Sequence, residues 1–435
     1  MCKRLIFVVA MVMACASGSA QARQWTLDDC ITYALENNIS LKKNVLSVRS
    51  ANEDLQQSQA ALLPSLSFGT SHSVGYSPFA ASDISGSSRK GYYNDNYSFS
   101  ANWTVWDGNK LRNQVKMNQL NESGAVLDSA ITANNIQETL AQYYIQALYL
   151  KEAIGVAENS LEVSRANEER GRGFVEVGNM SKADLAQLTA QRSQDEYTVV
   201  ETRSSLTTCL MHLKQLLELP GDTDFDVIDI NATDEQALEP VPALATVYDN
   251  ALLNRPEIKR SMIAIESGKL QEKIARAGSL PSIGLTAGAG TGYNTLNDDR
   301  WATQFKNNVD MSLGLRVSIP ICDQRSTKTA VNKARIQQQQ AQLDLLDSQK
   351  TLYATVENYW EQAITSQQKF RAALTNVESV QASFDLLEQQ FNLGLKNIVE
   401  LMTGKANLLQ ALQNKLQSKY TTILNLQMLK FYQKQ

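Results

Sequence analysis

After its first 22 residues, this 435-residue chain has no run of twenty apolar residues. No helix in its body therefore has the composition to span a bilayer, and any membrane contact must be made by strands. Histidine is nearly absent, with only His72 and His212. The chain also lacks a glycine-rich phosphate loop and any acid–histidine constellation. It is therefore expected not to be an enzyme, and no metal or cofactor is expected. Of five cysteines, three lie beyond the leader: Cys30, Cys209 and Cys322. Three cannot build a disulfide framework, and their spacing does not suit a metal, so they are expected to be small buried hydrophobes. A formal charge of -4 is too mild to point to nucleic acid.

Proline is also scarce, and its placement is informative. The eight prolines stand at 64, 78, 220, 240, 242, 256, 281 and 320, with none between 107 and 219 or after 320. Proline breaks helix interiors, so two long stretches are left free to be helical. Both are rich in good helix formers. Leu127, Ile131, Ile136, Leu140, Tyr144 and Leu148 mark a stripe in the first, and Leu345, Leu352, Val356 and Tyr359 one in the second. Each stripe is narrow, which suits a coiled-coil seam. Breaks are expected at 171–178 and at Gly394, so each stretch reads as a very long helix, a turn and a shorter return. The first long helix, 108–171, would extend about 96 Å.

The same text occurs twice. Leu63-Pro64-Ser65-Leu66 returns as Leu280-Pro281-Ser282-Ile283, and Ala34-Leu35 with Asn37 returns as Ala251-Leu252 with Asn254. Gly178 before Asp184-Leu185 matches Gly394 before Glu400-Leu401. So long a period marks a duplicated half-protein and not a solenoid. The expected organisation is a first repeat over 23–218 with its helical hairpin at 108–218, a linker at 219–242, and a second repeat over 243–435 with its hairpin at 323–432. Pro256 is placed at a helix start. Residues 1–22 read as a signal peptide: Lys3 and Arg4, an apolar run from Leu5 to Ala16, then Ala20-Gln21-Ala22. Lipidation at Cys15 is a second reading of the same leader.

Four segments alternate with period two: 64–76, 95–106, 281–293 and 307–320. One face carries Leu66, Phe68, His72, Val74, Phe99, Leu285, Met311, Leu313 and Leu315, and the other Ser, Gly, Asn and Thr. Each is long enough for a tilted transmembrane strand. Tyr76, Tyr97, Trp103 and Tyr293, with Tyr92, Tyr93, Trp106 and Trp301, gather toward strand ends like interfacial girdles. Residues 77–91 and 294–304 are expected to be exposed loops. Four strands cannot close a barrel, and an open edge is not tolerated in hydrocarbon. Two copies would give eight strands with a filled interior, whereas three give twelve and room for a lumen.

Taken together, these features resemble the TolC family of outer-membrane efflux and secretion channels, over about residues 25–432. The most specific match is Gly394-Leu395-Lys396-Asn397-Ile398-Val399-Glu400-Leu401, similar to the family's Gly-Thr-Arg-Thr-Ile-Val-Asp-Val turn. Gly178 to Leu185, the two Leu-Pro-Ser segments and Val105-Trp106-Asp107-Gly108 also resemble family signatures. The resemblance implies a mainly α fold, in which long antiparallel coiled-coil helices form an α-barrel and four strands per chain enter a trimeric 12-stranded transmembrane β-barrel. It implies a homotrimer in the outer membrane that extends into the periplasm of a Gram-negative cell. There it would meet a periplasmic adaptor and an inner-membrane transporter, with the turns at Gly178 and Gly394 at the adaptor end. The implied activity is a passive exit duct for efflux or type I secretion.

By position, Glu400 matches an acid that narrows the family's periplasmic aperture. Lys396 matches an Arg that helps hold the closed state, and Asp184 an acid near it. A contact between Lys396 and Asp184 is expected across the helical hairpins, within one protomer or between neighbouring protomers. Thr403 stands where relatives often have a second acid, and Phe391 where a Tyr is common, so the gate departs from the family pattern there. Two other classes remain open at this stage. One is a structural or adhesive envelope protein, barrel-anchored with a coiled-coil spacer. The other is a soluble coiled-coil adaptor whose strands form a sandwich.

Overall fold

A computed structural model describes residues 23–76, 91–228 and 232–434. Residues 1–22, read above as a signal peptide, with Cys15, and residues 77–90 of the first expected loop lie outside the described residues. In chain order come Arg23–Trp25 (β1), Leu27–Asn37 (α1), Ile39–Ala60 (α2), Ser65–Tyr76 (β2), Gly91–Trp106 (β3), Lys110–Glu176 (α3) and Lys182–Leu216 (α4). Then follow Phe225–Val227 (β4), Leu244–Asn254 (α5), Pro256–Ala277 (α6), Ser282–Asn294 (β5), Trp301–Asn307 (α7), Asp310–Ser318 (β6), Ser326–Asn392 (α8) and Ile398–Lys434 (α9). Two helices, a strand pair, a 67-residue helix and a return helix thus occur twice. No described helix is long and apolar enough to cross a membrane.

The described residues divide into two compact units, each built from both repeats: one runs from 23 to 43, from 129 to 258 and from 348 to 434, and the other from 44 to 128 and from 259 to 347. In the first unit, Ile136, Leu140, Tyr144 and Leu148 of α3 are buried with Cys30, Cys209, Leu213 and Phe370. Val356 and Ala363 of α8 are buried with Val247, Ala251 and Leu429. The narrow stripes are therefore seams. β1 pairs in parallel with β4, from Arg23↔Phe225 to Trp25↔Val227, and Tyr144 fastens this short ribbon to α3. Its hydroxyl donates to the carbonyl of Trp25 at 2.9 Å and also lies against the carbonyl of Ile228.

The second unit holds one antiparallel sheet in the order β2-β3-β5-β6. Its register places the apolar residues in common rows: Leu66↔Ala101↔Ala287↔Leu313 and Phe68↔Phe99↔Ala289↔Met311. The intervening rows are polar, as in Ser67↔Ser100↔Gly288↔Ser312. The apolar face is bare, with Val74 84%, Met311 78% and Leu66 76% exposed. Among the described residues, no buried cluster includes these rows. A water-soluble sandwich would cover them. Tyr93 and Trp103 are ten residues apart, about 34 Å along a strand, which tilted by about 40° matches an apolar band about 25 Å tall.

The structure departs from the sequence reading at five places. β3 begins at Gly91, within the expected loop and four residues before the expected strand start. Val105 is not part of the alternation, because a bulge between Thr104 and Trp106 puts Trp106 opposite Ile283. The helix α7 occupies the region read as loop and strand start. There Trp301 stacks on Phe305 at 4.7 Å, and Phe305 meets Tyr97 edge-on. Buried Gln304 holds the preceding turn, since its amide donates to the carbonyls of Asn294, Asn297 and Asp299 and its Oε1 accepts from the Asn294 N–H. The long helix α3 runs unbroken through Gly171, where a Cβ would come within 2.6 Å of Leu188, so that glycine serves close packing and not a turn. Finally, Cys322 is exposed, whereas burial pushes the Cys30 thiol up to about 12 and the Cys209 thiol to about 11.

Tyr144→Phe should remove the hydroxyl that joins the β1–β4 ribbon to α3 and leave only the Lys151 bonds to Asp226 and the Val227 carbonyl between them among the described side chains. A loss of about 1–3 kcal/mol is expected in denaturant unfolding, with the oligomeric state unchanged.

Candidate periplasmic aperture

The two helical hairpins turn by the same chemistry. Gly178 and Gly394 have φ of 78° and 72°, in the left-handed region that glycine tolerates. After each glycine the next N–H reaches back to an orphan carbonyl, Asn179 to Phe174 and Leu395 to Gln390, both at 2.8 Å. The glycine N–H groups bond to Val175 and Phe391. These are paired Schellman turns. A capping side chain then starts each return helix. The Asp184 N–H donates to Ser181 Oγ at 3.1 Å, and Ser181 Oγ donates to Asp184 Oδ2 at 2.8 Å. In the second hairpin, the Glu400 N–H donates to Asn397 Oδ1 at 2.9 Å, and the Asn397 N–H donates to Glu400 Oε2 at 3.3 Å. This is a reciprocal capping box with Asn as cap.

Glu400 has a second partner, Lys396 Nζ, 2.6 Å from Oε1. That bond first, and the Asn397 N–H second, hold the Glu400 carboxyl below the usual range. Within one chain Lys396 therefore pairs with Glu400, Asp184 pairs with Ser181, and the expected Lys396–Asp184 contact is not made. Helix i,i+4 geometry places Lys396 beside Glu400 with no long-range folding needed. Thr403 donates to the carbonyl of Val399 at 2.7 Å. With Glu400, Val399, Gly404 and Asn407 it lines a groove of about 440 Å³ between α8 and α9. Phe391 is 3% exposed and meets Phe174 edge-on, with ring centres 6.2 Å apart. It belongs to a cluster with Leu188, Phe384, Ile398 and Leu401. Phe391 thus supplies apolar contact between the two hairpins.

Two polar ties between the hairpins escaped the sequence reading. Arg170 of α3 donates to Glu388 Oε1 at 2.8 Å and to Asn392 Oδ1 at 2.6 Å on α8. Lys405 of α9 donates to the Ser160 carbonyl at 2.7 Å and contacts Ser164 Oγ and Asp195 Oδ2, bridging α3 and α4. Both members of the ion pair are nearly buried. Desolvation is the larger influence on Lys405 and pulls its pKa down, while Asp195 pulls it up. A signal existed for this pair. Lys405 follows Leu401 by four, and Asp195 precedes Val199 by four, so opposite charges sit on two apolar seams.

Lys405→Met should strand Asp195 as a buried, unpaired carboxylate, at a cost of about 3–5 kcal/mol. The double variant with Asp195→Leu should recover most of the lost thermal stability. Equal stability of the two variants would show that the pair is solvated.

The family model described as "Outer membrane efflux protein" matches residues 30–218 and 247–432. The outer membrane efflux protein BepC of Brucella suis is 22% identical over 410 residues, covering 94% of this chain and 85% of that protein. The alkaline protease secretion protein AprF of Pseudomonas aeruginosa is 22% identical over 410 residues, with 92% and 82% covered. Among solved structures, the Campylobacter jejuni CmeC outer membrane channel superposes with a TM-score of 0.80 at 18% identity, with 94% of this chain and 85% of that one covered.

Proposed function

The chain belongs to the outer membrane efflux protein family, and on that premise we propose that it is the outer-membrane exit duct of a tripartite efflux pump or a type I secretion system. It conducts cargo passively outward from a periplasmic adaptor and an inner-membrane transporter. One observation carries this reading. The sheet has a bare apolar face, a small polar face, and two strands, β2 and β6, that each pair on one side only. In lipid those edges must be satisfied, and a sheet of four strands cannot bend round to meet itself. Three copies close a barrel of twelve, with the apolar rows against outer-membrane lipid and Tyr76, Tyr97, Trp103 and Tyr293 at its interfaces. The serine, asparagine and glycine rows line a wet lumen. The name of BepC speaks of efflux and that of AprF of protease secretion, so both classes of cargo have precedent among relatives.

The hairpin tips form the periplasmic aperture, with the turns at Gly178 and Gly394 presented to the adaptor. Threefold symmetry makes Glu400 a ring of acids that attracts cations and resists anions, partly offset by Lys396. Asp184 adds a second acid nearby, and Phe391 and Thr403 set the packing behind it. Because the Glu400 pKa is depressed, its charge is complete above the ordinary value of 4.5 and is lost as pH falls through the lower folded value.

Purified protein in planar bilayers should show discrete, cation-preferring channels. Acidification below the ordinary carboxylate range should weaken that preference. Asp184→Ala with Glu400→Ala should raise conductance and abolish the pH effect. Parent-like conductance and selectivity in this variant would remove the gate assignment, and absence of any channel would favour an envelope spacer. Leu313→Arg, on the lipid face, should cost about 2–4 kcal/mol in membrane insertion, whereas Ser312→Arg, on the lumen face, should cost little. Refolding titrations into vesicles measure both.

A further inference from the structure

The register of the sheet isolates one side chain on the lumen face. On β2 and β3 that face carries serine, glycine, asparagine, threonine and Tyr92, and on β5 serine, glycine, threonine and Asn294. On β6 it carries Asp310, Ser312, Gly314, Arg316 and Ser318. Across all four strands, the charges on this face are therefore Arg316 and Asp310 alone. Arg316 is exposed and makes no ion pair among the described residues. It stands opposite Gly284 on β5, where an added Cβ would meet only the Trp103 carbonyl, at 3.7 Å. The floor beside it therefore lacks a side chain to cover or neutralise it, and its other flank is the open sheet edge. Asp310 lies six residues away at the far end of β6, about 20 Å along the strand. At physiological salt the Debye length is about 8 Å, so Asp310 does not screen Arg316.

We propose that Arg316, repeated by threefold symmetry, is the cationic filter of the barrel lumen and makes this stretch of the duct select for anionic solutes bearing carboxylate or phosphate groups. The inference rests on the trimeric duct proposed above, since one chain supplies a third of the ring. Its physics is that of other charged rings: like-signed side chains on an otherwise neutral wall raise the local concentration of counter-ions. A guanidinium also offers a planar fork of donors that fits carboxylate and phosphate oxygens two at a time, which an ammonium does not. Asp310 marks the outer end of the same strand with the opposite sign.

The test is the reversal potential of single channels under a potassium chloride gradient, at roughly 10 mM salt where the Debye length is about 30 Å. Glu400→Gln serves as the background, so that the acidic ring at the helical tips does not mask the barrel. Arg316→Ser should lower the chloride-to-potassium permeability ratio about threefold, and Arg316→Glu should lower it further, while Arg316→Lys keeps it. The differences should shrink as salt rises. Arg316→Gln, which keeps a polar side chain of similar length, should behave like Arg316→Ser, so a packing defect in one variant does not decide the result. Conducting channels with the same ratio in the Ser, Gln and Glu variants would overturn the filter and leave the duct standing. If the Glu400→Gln parent and every variant fail to conduct, the duct itself is wrong, and the filter falls with it.

Discussion

The four-stranded sheet has a surplus of unmet backbone hydrogen bonds along its two edge strands, and the proposed assembly depends on meeting it. A strand at a sheet edge presents a row of N–H and C=O groups that water can satisfy and hydrocarbon cannot. Here the edge strands β2 and β6 run 12 and 9 residues. The same sheet presents leucine, methionine, phenylalanine and valine on one face with none of the described residues packed over them. An apolar face calls for lipid, and lipid forbids the open edges. In the proposed assembly, copies of the same chain satisfy both demands, because each brings one β2 and one β6. The small polar residues on the opposite face then follow as a requirement for leaving the bore unfilled.

The helices obey a different rule. Their seams are narrow, so each helix contributes little apolar area per turn and must be held at discrete points. Those points are specific: Tyr144 on the β1–β4 ribbon, Phe391 against Phe174, Arg170 on Glu388, and Lys405 between Ser160, Ser164 and Asp195. At the tips, Schellman turns and side-chain caps satisfy the orphan groups that helix ends leave. Glu400 caps its own helix and pairs with Lys396, and its depressed pKa follows from the Lys396 bond first and the Asn397 N–H second. A carboxylate kept ionised by its own turn would be a dependable charge at the proposed aperture.

The fold was largely legible in the sequence because its signals are repeated and periodic. Proline-free stretches gave the long helices, and period-two alternation gave the strands. Misreadings arose where a local pattern has two structural outcomes. Gly171 looked like a breaker, yet in a helix it is simply the residue that lets Leu188 approach. Trp301 and Phe305, four apart, carry a one-turn helical signal inside a segment whose asparagines and aspartates read as loop. At Val105 a bulge, which alternation alone does not reveal, transferred the paired position to Trp106. At the tips, Glu400 and Asp184 were found by resemblance, but their capping roles were readable from Asn397 and Ser181 three residues earlier. Within one chain the expected Lys396–Asp184 contact gives way to Lys396–Glu400, because a neighbour at i+4 competes for the lysine. Ties such as Arg170–Glu388 join residues 218 apart, and no local pattern encodes them.

Hydrogen–deuterium exchange of the protein in lipid nanodiscs tests the central claim most directly. If identical neighbours complete the wall, amides across Ser65–Tyr76 and Asp310–Ser318 should be as protected as those of the central strands β3 and β5. Rapid exchange confined to the two outer strands, with the inner pair protected, would describe an isolated sheet and contradict the account.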